Sequence, residues 1–69
     1  MPLTYAKTGE TNCIVRITGK DEIRRHLANL GFVEGATVTV VSELAGNLIL
    51  NVKNCHIALD KSMAGRIMI

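Results

Sequence analysis

Aromatic side chains are almost absent from this sequence: Tyr5 and Phe32 are the whole set, and there is no tryptophan. Single-strand nucleic-acid binders rely on aromatic platforms along a basic groove, so that shortage weighs against such a role. Charge of one sign is missing too. The net charge is +2 and the charges are scattered, which leaves no strong electrostatic footprint for nucleic acid or an anionic membrane. Cysteine is scarce: Cys13 and Cys55 stand far apart with no CxxC spacing. A disulfide scaffold of this length would carry more, so both are expected to be reduced residues of a cytoplasmic protein. No apolar run approaches the ~20 residues of a membrane helix. MPLTYAK has neither a basic leader nor an apolar h-region, so no export signal is expected.

What remains is aliphatic. At 69 residues the chain is expected to form a single domain, 1–69, with a core of Val, Ile, Leu and Ala. Such a core supplies on the order of 3–5 kcal/mol of net stability and suits a small β-rich barrel.

The most legible stretch is Asp21 to Gly35. Ile23, Leu27 and Leu30 fall at i, i+4 and i+7, on one face of a helix predicted over about 21–30. Asp21 is a candidate N-cap. Gly31 sits where a C′ residue adopts positive φ, and Phe32 at C″ is placed to pack back on Leu27. Glu34-Gly35 has the form of a type II turn centre with Gly35 at the positive-φ position. Asp21 with Arg25 and Glu22 with His26 make acid-first i, i+4 pairs. Arg25 and Asn29 point outward, with Arg24 and His26 at the edges of the apolar stripe.

The rest of the chain reads as short strands. Leu3 to Ala6 reads as a short first strand, and Cys13 to Thr18 alternates, with Cys13, Val15 and Ile17 on one face and Ile14 and Arg16 on the other, as a strand with one face buried. Thr37 to Val41 is β-branched and predicts a strand. Ala45-Gly46-Asn47 is a hairpin connection, with Gly46 and Asn47 tolerant of positive φ. Leu48 to Val52 returns with Leu48, Leu50 and Val52 on one face. Lys53-Asn54 is the next turn, His56 to Leu59 a strand with Ile57 and Leu59 inward, and Lys61 to Gly65 a helical turn capped by Asp60 or Ser62. Arg66 to Ile69 closes the chain. The fold class is therefore mainly β: a small, partly open SH3-like barrel, with one inserted helix and a short helical turn near 61–65.

Chemistry-bearing clusters are few. Cys13, His26, Cys55 and His56 are the candidate metal ligands, but none has a zinc-type spacing. Adjacent Cys55 and His56 point to opposite faces of a strand, so the reading is buried cysteines, surface histidines and no metal or cofactor site. Neither cysteine has a visible activating base, and Gly31-Phe-Val-Glu-Gly35 is not a phosphate loop. An enzyme is not expected. Arg24 and Arg25 read as a solvated helix face.

Taken together, Arg25-His26-Leu27 through Leu30-Gly31-Phe32, then Gly35, then Val38 and Val40, resemble the helix–LG–x₃–G–strand signature of the ferrous iron transport protein A (FeoA) family. Ile57-Ala58-Leu59, followed by Ala64 and Ile67, resembles that family's closing pattern. Two positions depart from it: Glu34 where proline is frequent, and Asp60 where a basic residue is common. The resemblance implies a small cytoplasmic accessory of the FeoB ferrous iron permease, which carries a cytosolic GTP-binding domain. It would act there by protein–protein contact, with no nucleic acid and no direct membrane insertion. Candidate contacts are Arg24 and Arg25 on the helix, with Leu44 and Leu48 flanking the 45–47 hairpin tip. The alternative is a metal-binding or metal-sensing protein, or an SH3-like module of a metal-dependent regulatory system.

Overall fold

The computed structural model describes every residue from Met1 to Ile69. The stretch from 21 to 36 behaves as its local signals dictate. Helix α1 spans Asp21–Asn29 and is followed by Leu30 as its C-cap. Gly31 takes φ 104°. Its N–H donates to the Ala28 carbonyl at 3.0 Å and the Phe32 N–H to the Leu27 carbonyl at 3.0 Å, the two bonds of a Schellman stop. The Val33–Ala36 turn then closes with a 3.1 Å bond from the Ala36 N–H to the Val33 carbonyl, Gly35 holding φ 86°. The start of the helix differs from expectation. The ladder begins at the Lys20 carbonyl, so Lys20 is the N-cap, without a side-chain bond, and Asp21 is the first helical residue. A carboxylate there still complements the helix dipole. It pairs with Arg24, one turn on, and neither Asp21–Arg25 nor Glu22–His26 forms an ion pair.

Two antiparallel sheets enclose the core. Strands β1 (Thr11–Cys13), β3 (Thr37–Leu44), β4 (Asn47–Val52) and β5 (Cys55–Asp60) form one, in the order β1-β3-β4-β5. Strands β2 (Arg16–Ile17) and β6 (Ile67–Met68) form the other. The run from Cys13 to Thr18 is thus not a single strand. The Ile14 N–H bonds to Ala36 and the Val15 N–H to Met68, so the chain leaves one sheet and joins the other between them. The change of partner breaks the alternation. Ile14 is buried, whereas Cys13 and Val15, expected on one face with Ile17, are exposed while Ile17 is half-buried. Leu3–Tyr5 is likewise a 3₁₀ turn and not a strand, closed by bonds from Tyr5 to Pro2 and from Ala6 to Leu3. It drops Leu3 into the core, while only Pro2 bridges to Met68.

The hairpins follow the two-residue rule for twisted strands. Ala45 and Gly46 take φ 52° and 81°, so these two form the turn and Asn47 already lies in β4. Lys53 and Asn54, at φ 50° and 63°, form the next. Strand β4 alternates as its sequence demands, with Leu48, Leu50 and Val52 buried. Strand β3 is interrupted by a bulge between Val40 and Ser42, which leaves Val41 partly exposed. Asp60 caps α2 (Lys61–Ala64) by accepting from the Met63 N–H at 2.8 Å, settling the choice between Asp60 and Ser62.

The core is wholly aliphatic apart from Phe32, which is fully buried with Leu3, Ile14, Leu27, Leu50 and Ile67. Leu27 enters from α1 and Ala64 from α2, so both helices lie against the barrel rather than apart from it. A mainly β domain of two sheets about one core, with a helix between the second and third strands, is the SH3-like arrangement that the patterning implied.

Candidate functional site

Helix α1 presents its outer face to solvent because its apolar stripe is narrow: only Leu27 is fully buried, with Ile23 half-buried. On that face Asp21, Arg24, Arg25 and Ala28 line an open depression, the one pocket of the fold. The structure therefore brings Arg24 and Arg25 together at one surface feature. Their electrostatics differ. The Arg24 guanidinium is engaged by the Asp21 carboxylate, while Arg25 has no carboxylate partner. A planar guanidinium that is free of intramolecular pairing suits bidentate recognition of a carboxylate. The depression is shallow and open to solvent.

The other expected contacts part company. Leu44 ends β3 beside the hairpin and is 69% exposed, which makes it available to a partner. Leu48, two positions into the hydrophobic face of β4, is 4% exposed and packs inward. It is a core residue and not a contact. Parity decides this: once Asn47 opens the strand, every second residue from Leu48 faces the core. Among the other apolar side chains that reach solvent, Tyr5 and Val15 are the most exposed, and sequence reasoning singled out neither. Their exposure follows from the 3₁₀ turn and the change of sheet, for which the sequence carries no local signal.

The candidate metal ligands stay dispersed. Both cysteines are free and exposed, which corrects the expectation that they are buried. Cys13 ends β1 and Cys55 opens β5, while His26 lies on α1 and His56 faces solvent on β5 beside Asn51 of β4. Nowhere do three His, Cys, Asp or Glu side chains assemble into a ligand set. Glu43 and Lys61 are joined at 2.8 Å, tying the end of β3 to the start of α2 at a surface where the pair contributes little.

Fold and surface together define a small SH3-like domain, mainly β, with a solvent-exposed helical face and an exposed leucine at its hairpin end. The FeoA domain model matches residues 1–69, the whole chain, and the protein belongs to the FeoA family of ferrous iron transport. It is 28% identical over 68 residues to a Methanocaldococcus jannaschii protein assigned as Fe(2+) transport protein A, covering 99% of this chain and 83% of that one. A crystal structure of an iron uptake regulatory protein, FeoA, superposes with a TM-score of 0.88 at 34% identity, over 97% of this chain and 89% of the other. The Stenotrophomonas maltophilia FeoA, an SH3-domain protein crystallised with zinc, gives a TM-score of 0.86 at 27% identity, over 99% and 87% of the two chains. None of the Cys or His residues here forms a ready zinc site of the closed kind, since four protein ligands would have to converge.

Proposed function

We propose that this chain is a cytoplasmic accessory of ferrous iron uptake that docks on the cytosolic, GTPase-bearing part of a FeoB-type permease, and that it works by binding and not by catalysis. The observation that carries the reading is the match to the FeoA domain from the first residue to the last. The surface supports it: an exposed arginine without an intramolecular partner and an exposed leucine, on opposite kinds of element, provide one polar and one apolar contact. No helix is long and apolar enough to cross a membrane. The Stenotrophomonas relative is itself described as a candidate activating factor of ferrous iron transport, which agrees with action through a permease.

The test is titration of this protein into the isolated cytosolic region of the permease, followed by calorimetry and GTP hydrolysis. Binding weakened by Arg25→Ala or Leu44→Ala is the expected result. No binding, together with no change in GTPase rate or iron uptake, would refute the reading. The zinc bound to the Stenotrophomonas relative motivates the competing reading, a metal binder. Micromolar ferrous iron or zinc affinity lost in Cys55→Ser or His56→Ala would favour it.

A further inference from the structure

An antiparallel sheet leaves open edges, which proteins ordinarily blunt with short strands, bulges, proline or charge. Most edges here are blunted. β1 is three residues long, and β2 and β6 two each. The part of β3 that β1 does not cover carries the bulge after Val40 and the Glu43–Lys61 ion pair. Strand β5 is longer and unbulged, and its single carboxylate, Asp60, stands only at its last position. Its six residues, Cys-His-Ile-Ala-Leu-Asp, contain no proline, lysine or arginine and pair with β4 in unbroken register. No turn, loop or cap hydrogen bond of the backbone reaches residues 55–60 from any other element.

The Lys53-Asn54 turn determines which groups are free. In a two-residue hairpin the flanking pair, Val52 and Cys55, exchanges both backbone bonds. Cys55, Ile57 and Leu59 therefore turn their backbone groups toward β4. His56 and Ala58 direct theirs outward, and so does the Asp60 N–H.

We propose that this edge pairs with the same edge of a second copy of the chain, β5 against β5, antiparallel about a two-fold axis at Ala58. The segment is self-complementary in that register. Ala58 faces its own copy and exchanges both backbone bonds with it, and each Asp60 N–H meets the carbonyl of the partner's His56. On the outer face His56 stands opposite the partner's Asp60, twice over by symmetry. On the other face Ile57 stands opposite the partner's Leu59. Asp60 accepts from the Met63 N–H through Oδ1, which holds the carboxylate in place and leaves Oδ2 for the imidazole. Sliding the register by two residues sets His56 against Ala58, or Ala58 against Asp60, and loses both histidine–aspartate pairs. The two four-stranded sheets would become one continuous sheet across the axis, an isologous interface.

An edge of this length is at the small end of protein interfaces, so the test spans high concentration. Sedimentation equilibrium of the full chain from about 10 µM to about 1 mM should show the mass rising from monomer to dimer. Ala58→Pro should stay monomeric throughout while keeping its circular dichroism and melting temperature, because the lost N–H faces away from β4. His56→Asp, which sets like charges opposite each other, should weaken association about tenfold or more, and Asp60→Asn, which keeps the helix cap, by less. Wild-type protein that stays monomeric, or association unchanged by these substitutions, would overturn the proposal. Should Ala58→Pro fail to fold, the two charge variants still decide it.

Discussion

Gly31 gives the sharpest test of how the helix exit is built. Its φ of 104° lies where an L-residue is strained, and it ends α1 through the bonds from Gly31 to Ala28 and from Phe32 to Leu27. Replacement by alanine could act through space or through the backbone. Space is not the obstacle. A Cβ at this position would meet Lys53 Cδ at 3.6 Å and the Val52 methyls at 3.7 and 3.9 Å, ordinary van der Waals contact. The backbone remains, and left-handed geometry costs an L-residue about 1–2 kcal/mol. Against the roughly 3–5 kcal/mol that a core of this size supplies, that is between about a fifth and two thirds of the stability. For a domain of this length the melting temperature should fall by about 4–16 °C. Thermal and urea unfolding followed by circular dichroism measure it. The diagnostic is rank: Gly31→Asn should cost less than Gly31→Ala, since asparagine tolerates positive φ better, and Gly31→Val should cost most. Gly35 offers a control, with φ 86° and nothing within 4 Å of a Cβ, so alanine there should cost a similar amount through the backbone alone. Alanine as stable as glycine at position 31, or more stable than asparagine, would refute the argument from backbone conformation.

Four other outcomes follow from the same structure. Phe32→Ala should remove about 3–5 kcal/mol, the whole margin, so its amide spectrum should lose dispersion at room temperature. Leu48→Ala should destabilise by about 2–5 kcal/mol, whereas Leu44→Ala should leave stability within about 0.5 kcal/mol and act only on partner binding; chemical denaturation separates the two. Asp60→Ala should cost about 1 kcal/mol through the lost cap on α2, and Asp60→Asn close to nothing, by the same measurement. Arg24→Gln and Glu43→Gln each remove an exposed ion pair and should shift stability by no more than about 0.5 kcal/mol.

The outcome at Leu44 and Leu48 shows where sequence reasoning about the site stops. Both flank the hairpin and both are leucine, yet one is surface and one is core. The difference lies in which residues make the turn. With Ala45 and Gly46 at positive φ, Asn47 joins β4 and fixes the parity of the strand. Read as a three-residue connection over 45–47, the hairpin does not say which of its flanking leucines is exposed. The arginines fared differently, because a helix face is set by spacing alone: Arg24 and Arg25 come to one depression. What spacing does not show is that Arg24 is taken by Asp21 and Arg25 is not.

The sequence by itself determined the elements whose causes lie within a few residues. The Schellman exit of α1, the Val33–Ala36 turn and the alternation of β4 all depend on local φ requirements, local donors or strict parity. The helix exit and the turn after it, Leu30-Gly31-Phe32 and Gly35, also carry much of the FeoA signature, which is why the family was legible too. Only the tertiary structure decided the rest. Leu3–Tyr5 curls because Leu3 fills a place in a core built mostly by residues far along the chain. The chain changes sheets at Ile14–Val15 because Ile17 pairs with Ile67, a choice made across most of the sequence. The open edge of β5 has the same origin, since a strand's own residues specify its pleat and its faces but not whether a neighbour arrives to cover it.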